Sequence, residues 1–447
     1  MPHTKDPTAG EIRVLLARAC DRSAWAHTVE TKQTLALTTP RERSPVTHDE
    51  TIARGRAHLA VFFVFALNGF VFASWASRLP AVRDDLAISP GQLGLVLLIG
   101  SAGSVFALPS TGTLVHRFGT RRTTRGAALV NAVGLAGAAS AIAAGSTPLT
   151  AASLFVAFAG IGAWDVAMNL QGTVVEHHLG RAIMPRFHAG FSLGAVAGAL
   201  VGVLAAAAGI PAPWQIIASA LVCATATIAL TTAYLPDGTM TAASNSGERG
   251  AWRRAAQAWT EPRTLLIGLM VLSAALTEGS ANDWLALAVV DGFNVADTLG
   301  AVAFGIFVAS MTAMRFAGTG LIDRFGRVPV LRLSAASALI GLLIFGLAPS
   351  LPTALMGVIL WGFGAALGFP VGMSAASDDP TRSAARVSVV SSIGYVAFLA
   401  GPPLLGVLAE HVGYRAALLA ITIPLIASVL LSQVAAPLKA VPSGGST

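Results

Sequence analysis

The chain is 447 residues long, 54% hydrophobic and only 11% charged, with 46 glycines, whereas a soluble globular protein carries about 25% charged residues. That balance excludes an ordinary water-soluble domain and points to long apolar blocks in a bilayer. The formal net charge of +7 comes mainly from arginine, since Lys5, Lys32 and Lys439 are the only lysines, and the arginines cluster in short loops, which suits membrane topology better than nucleic-acid binding. Cys20 and Cys223 are too few and too scattered for a disulfide framework or a metal site.

Residues 1–57 are polar, rich in Thr and Arg, and lack an apolar h-region, so they are not a secretory signal. They are expected to be a disordered tail, or upstream sequence included by a misplaced start. Apolar runs of roughly 20 residues, each able to cross about 30 Å of hydrocarbon, then fall near 58–79, 91–115, 125–145, 149–175, 187–209 and 213–235. A polar linker at 236–262 follows. A second set lies near 264–289, 298–321, 329–348, 353–376, 385–409 and 414–435. The expected organisation is an N-terminal six-helix bundle (58–235), a cytoplasmic linker (236–262), a C-terminal six-helix bundle (263–436) and a cytoplasmic tail (437–447).

Ionisable groups inside spans are rare and usually face the bundle interior or a water-filled cavity. Asn68, Trp75 and Arg78 share one face of the first span. Between spans two and three lies "TLVHRFGTRR", with His116 and Arg117. Asp165 and Asn169 share a face of span four, and Gly194, Gly198 and Gly202 give span five a face suited to close helix packing. His188 opens span five and is read as structural. Span seven carries "LTEGSANDWLAL": Glu278 and Asn282 share a face, while Asp283 is turned about 140° from Glu278. Trp284 is either an interfacial aromatic or a cavity residue. Arg315 lies in span eight. Glu278 falls about 20 Å along span seven and Arg315 roughly 12 Å from the end of span eight, a depth gap their side chains can close. These residues sort into proton-coupling groups (Glu278, Asp165, Arg315) and cavity groups (Asn68, Trp75, Arg78, Asn169, Asn282, Asp283, Trp284).

With the N-terminus inside, the cytoplasmic connections hold fifteen arginines and the opposite ones hold only Arg83, Arg415 and the span-end Arg78. Both termini are therefore expected in the cytoplasm.

The halves repeat. "TLVHRFG" (113–119) matches "GLIDRFG" (320–326), "GIGAWDVAMN" (160–169) matches "GFGAALGFPV" (362–371), and "RFHAGFSLG" (186–194) matches "RVSVVSSIG" (386–394), in order and at nearly constant offset. "GLIDRFGRVPVLR" resembles the loop signature of the major facilitator superfamily, with Asp323, Arg324, Gly326 and Arg327. The strings "ASWASRLPAVRD", "DVAMN", "EGSANDWL", "GFGAALGFP" and "GPPLLGVLAEH" are similar to the YbjJ-like bacterial inner-membrane subgroup. The resemblance covers residues 58 to about 436. It implies an all-α polytopic membrane protein, twelve transmembrane helices in two pseudo-symmetric six-helix bundles, rocking about a central cavity. It also implies a conformational latch at Asp323, Arg324, Gly326 and Arg327, with His116 and Arg117 as its degenerate copy. Three departures weigh against a drug exporter: His116 replaces the signature Asp, Val156 stands where proton-coupled drug antiporters carry arginine, and Gly-Pro occurs only at Gly401–Pro402.

The resulting expectation is a monomeric secondary transporter in the bacterial cytoplasmic membrane, moving a small, polar solute with protons. Efflux of an amphipathic compound is the alternative within transport, and a transport-dead sensor or scaffold is the competitor of another class. No Walker loop, nucleophile–base pair or zinc motif appears, so neither ATP, an enzyme activity, a metal nor a cofactor is expected.

Overall fold

The computed structural model describes residues 48–179, 183–236, 256–379 and 382–437. Contacts divide the chain into Met1–Ile52 and Ala53–Thr447, and the architecture below is that of the second unit. Among the described residues every regular element is helical. In chain order they are α1 (His48–Ala76), α2 (Leu79–Leu86), α3 (Pro90–Ala143), α4 (Thr147–Leu179), α5 (Met184–Ala207) and α6 (Ala212–Leu230). After the linker come α7 (Pro262–Phe293), α8 (Asp297–Phe325), α9 (Arg327–Leu347), α10 (Leu351–Ala365), α11 (Gly368–Ala376), α12 (Ser383–Val412), α13 (Tyr414–Leu418) and α14 (Thr422–Leu431).

Among the described residues, eleven helices or helix pairs are long and apolar enough to cross a membrane. One of these, α3, runs for 54 residues but breaks at Gly119 (φ 81°, ψ 162°), so its two limbs are separate spans and twelve crossings result. The chain is a multi-pass membrane protein. Gly326, between α8 and α9, has nearly the same backbone angles (φ 82°, ψ 163°). The "RFG" repeat thus produces one backbone turn twice, in a region of conformational space that residues bearing a Cβ avoid.

Several boundaries differ from the sequence reading. Helix α1 begins at His48, so residues 48–57, read as tail, are helical. The rest of the tail (1–47), most of the linker (237–255) and the C-terminal tail from 438 lie outside the described residues. Span ten is split into α10 and α11, and α2 is an extra short helix. The start of α3 has a local cause. Ser89 Oγ accepts from the Gln92 backbone N–H at 3.2 Å while the Ser89 N–H donates to Gln92 Oε1 at 2.9 Å, and Pro90 occupies the first turn.

Small residues set the helix spacing. A Cβ on Gly194 or Gly198 of α5 would strike the carbonyls of Ala66 or Phe70 on α1, and one on Gly69 would strike that of Phe191. Within the halves, α3 packs on α4 and α6, and α7 packs on α12 and α14. Among the described residues, the halves meet where α3 packs on α12 and α5 on α8, and α2 also touches α7 and α8. The end holding the Gly119 and Gly326 turns is called the arginine-rich end, and the end holding α2 the arginine-poor end.

No atom lies within 4 Å of a Cβ built at Gly326, so Ala there is penalised by backbone strain alone, and Gly119 shares its positive-φ backbone. Gly119→Ala and Gly326→Ala should each lose about 1–3 kcal/mol. Gly112→Ala, in a helix and equally open, should lose nothing and gain up to about 1 kcal/mol. Thermal unfolding of the detergent-purified variants checks this; matching melting temperatures for all three would refute it.

Candidate functional site

The centre of the molecule is organised by Arg315 of α8. Its Nη2 donates to both carboxylate oxygens of Glu278 on α7, at 3.1 and 3.0 Å, a bidentate pair with both side chains about a quarter exposed (27% and 20%). The Nε donates to the carbonyl of Ala366 at 3.4 Å, and Nη1 reaches the Ser192 hydroxyl on α5, in the other half, at 3.5 Å. The Ala366 carbonyl is available for a reason written in the chain. Its helical donor would be residue 370, which is Pro370 and has no N–H. The α10–α11 break therefore presents an orphan acceptor toward the arginine.

On the other half, Asp165 is exposed although it lies midway along α4. It stands nine residues, about half a helical rotation, from Val156, which is 41% exposed and apolar. The lipid-compatible side of α4 and its acidic side are thus opposite. Asn169 Nδ2 donates to Asp165 Oδ1 at 3.2 Å and to the Asp165 carbonyl at 2.9 Å. Among the described residues Asp165 has no ion-pair partner. Tyr395 of α12, 38% exposed, lies close enough to feel the Asp165 charge. His188 is exposed one turn before Ser192 on α5, lies edge-on to Phe65 at 5.3 Å and feels the charge of Arg315. Sequence reading had passed over Ser192 and Tyr395 and set His188 aside as structural. Nothing in the chain marks a serine or a tyrosine as facing the other half.

The remaining cavity candidates fall elsewhere. Asn68, Trp75, Arg78 and Trp284 are 6% exposed or less, and such burial leaves a solute no surface to touch. Arg78 instead donates to the Ile210 carbonyl at 2.7 Å, tying α1 to the α5–α6 loop. Trp284 packs on Tyr414, ring centroids 5.6 Å apart. Asn282 and Asp283 are partly exposed, and Asp283 has no ion-pair partner among the described residues.

At the arginine-rich end, Asp323, Arg324, His116 and Arg117 are exposed. Arg324 lies over Phe325 at 5.2 Å and Arg117 over Phe118 at 5.4 Å. Arg327 turns inward to Asp378 at 2.8 Å, which also receives Arg263 at 2.8 Å. Arg121 caps the carbonyls of Thr232 and Tyr234 at 3.1 and 2.8 Å. These contacts each stay within one half. Just before α7, Glu261 holds Arg382 and Arg386, and its hydrogen bond from Arg386 keeps its carboxyl below the usual glutamate range.

The arginine-poor end is tied across the halves. Arg83 of α2 pairs with Asp291 at the end of α7 and donates to the Tyr414 hydroxyl at 3.4 Å. Burial works against the Arg83 charge, yet its bonds to Asp291, Tyr414 and Asp84 outweigh that and raise its proton affinity. Glu410 of α12 accepts from the Ser89 hydroxyl and from the Gly91 N–H at 3.1 Å, so a carboxylate seats on the N-terminus of α3, where the helix dipole favours it. Beside it, a Cβ on Gly94 would meet the Pro402 carbonyl. The molecule is therefore clamped at this end.

The profile of the family described as Major Facilitator Superfamily matches residues 61–387 and, again, 270–447. The uncharacterized transporter y4wD of Sinorhizobium fredii is 32% identical over 372 residues, which covers 81% of this chain and 96% of that protein. Crystal structures of the nucleoside transporter NupG and of a D-xylose-proton symporter share the fold. Their TM-scores are 0.68 and 0.64 at 15% and 14% identity, and each covers 84% of this chain and 98% and 96% of its own.

Arg83→Ala combined with Glu410→Gln should unlock the arginine-poor end. With spin labels at Ala144 and Ser350 on an otherwise cysteine-free chain, the double variant should show a longer-distance population that the parent lacks. An unchanged distance distribution would count against the clamp.

Proposed function

The chain belongs to the Major Facilitator Superfamily, and from that premise we propose that it is a proton-coupled secondary transporter moving a small polar solute by alternating access. The membrane is the bacterial cytoplasmic one, both termini face the cytoplasm, and the arginine-rich end is the cytoplasmic end, on the arginine asymmetry of the loops. In that orientation the clamped end is the outer one, and the conformer is closed to the outside. The family strings quoted above support a place in the YbjJ-like subgroup.

One observation carries the mechanism. Arg315 holds Glu278 in its own half while touching Ser192 in the other. A proton on Glu278 removes the charge that fixes the guanidinium, and Arg315 is then free to change its contacts with α5. Protonation thereby biases the relation between the halves, which is what coupling demands. Reforming the pair expels the proton on the other side. Asp323 and Arg324, free of ion pairs among the described residues, serve as the latch of the opposite conformer, with His116 giving a weaker copy in the first half.

Two measurements test this. Glu278→Gln should insert normally and exchange substrate across proteoliposomes, yet lose accumulation driven by a pH gradient; accumulation equal to the parent's would remove Glu278 from the coupling step. For topology, a cysteine at Ser146 should be labelled from outside whole cells and one at Ser246 should not, and the reverse pattern would invert the orientation.

A further inference from the structure

On the first half, a solute entering between the halves meets an exposed carboxyl that no cation among the described residues engages, Asp165. Arg315 already bonds Glu278, the Ala366 carbonyl and Ser192, so its charge is neutralised by Glu278 and an anionic solute must compete with that carboxylate. Asp165 differs in each respect. It is exposed, its one described side-chain donor is Asn169, on a single oxygen, and no arginine or lysine among the described residues pairs with it. At 1.5 Å per residue it lies about 21 Å from the arginine-rich end of α4, and Tyr395 lies about 18 Å from the same end of α12. The two stand at one depth, on opposite halves, near enough for the acid's charge to reach the phenol.

We propose that Asp165, Asn169 and Tyr395 form a subsite for a protonated amine, so that the transported solute is an organic cation or carries an ammonium group. The inference rests on the transporter reading above and names its substrate class. An ammonium offers up to three donors. One goes to the Asp165 oxygen that Asn169 leaves free, and another goes to the Tyr395 hydroxyl oxygen. Such a ligand bridges the halves at the level of Arg315, so its binding acts on their relative position, as alternating access requires. A negative group open to the cavity also repels carboxylate and phosphate solutes, which gives the site selectivity by sign. The chemistry explains the asymmetry of the centre: one half carries a neutralised pair, the other an uncompensated acid that the cargo neutralises.

The test is thermal stabilisation of the purified full chain by matched amine, alcohol and carboxylate compounds. The sets are ethanolamine, ethylene glycol and glycolate; glucosamine, glucose and glucuronate; and tyramine, tyrosol and hydroxyphenylacetate. A ligand that binds the folded state raises its melting temperature. Stabilisation should appear among the amines and not their partners, and the concentration needed should rise by about tenfold or more in Asp165→Asn. Should Asp165→Asn fail to fold, Tyr395→Phe carries the same expectation with the ring retained. Amines that all leave the melting temperature unchanged, stabilisation confined to alcohols or carboxylates, or amine stabilisation that survives in both variants, each overturns the subsite. Those outcomes leave proton coupling standing, because coupling is read separately from accumulation by Glu278→Gln.

Discussion

A charge held at the level of the hydrocarbon core must find a partner, and Arg315 meets that demand from three directions at once. Its carboxylate partner comes from the neighbouring helix, its carbonyl partner from a helix break, and its hydroxyl partner from the other half of the molecule. Each partner constrains something larger. The pair fixes α7 against α8, the Ala366 carbonyl ties in the α10–α11 break, and Ser192 registers α8 against α5. The polar centre is therefore also the place where the two halves sense one another.

The two ends obey a different logic. The repeat places the same glycine turn at Gly119 and Gly326, yet the side chains around the turns have diverged. At the repeat offset of the second motif, Glu176 corresponds to Asp378. Glu176 accepts the N–H groups of Ile183 and Met184 at 2.7 and 2.8 Å, whereas Asp378 gathers two arginines. Both brace one half internally. The few arginines of the opposite end are each tied to structure: Arg78 to the Ile210 carbonyl, Arg83 to Asp291, and Arg415 to the carbonyls that end α9, including Ala348 at 2.6 Å. Positive charge there stitches loops and halves together, where at the other end much of it is left exposed.

Much of this was legible along the chain because it depends on local chemistry. Apolar runs of spanning length, the glycine of the loop signature and the internal repeat are consequences of nearest neighbours and of hydrophobic periodicity. The nearness of Glu278 and Arg315 followed from their depth on adjacent helices. Helical phase was a poorer guide to Trp75, Arg78 and Trp284. A face shared on one helix does not say whether that face meets a cavity or another helix, and all three are packed away.

What the sequence determined by itself is the class of protein and its length scale: twelve apolar crossings in two related sets, with backbone groups satisfied within each helix as a bilayer requires. The tertiary structure alone decided which polar groups face one another across the halves. Ser192 beside Arg315, Tyr395 near Asp165, and Glu410 on the start of α3 join residues 123, 230 and 319 to 321 positions apart. No local pattern encodes such pairs, because they depend on the rotation and depth at which two separately folded surfaces come to rest against each other.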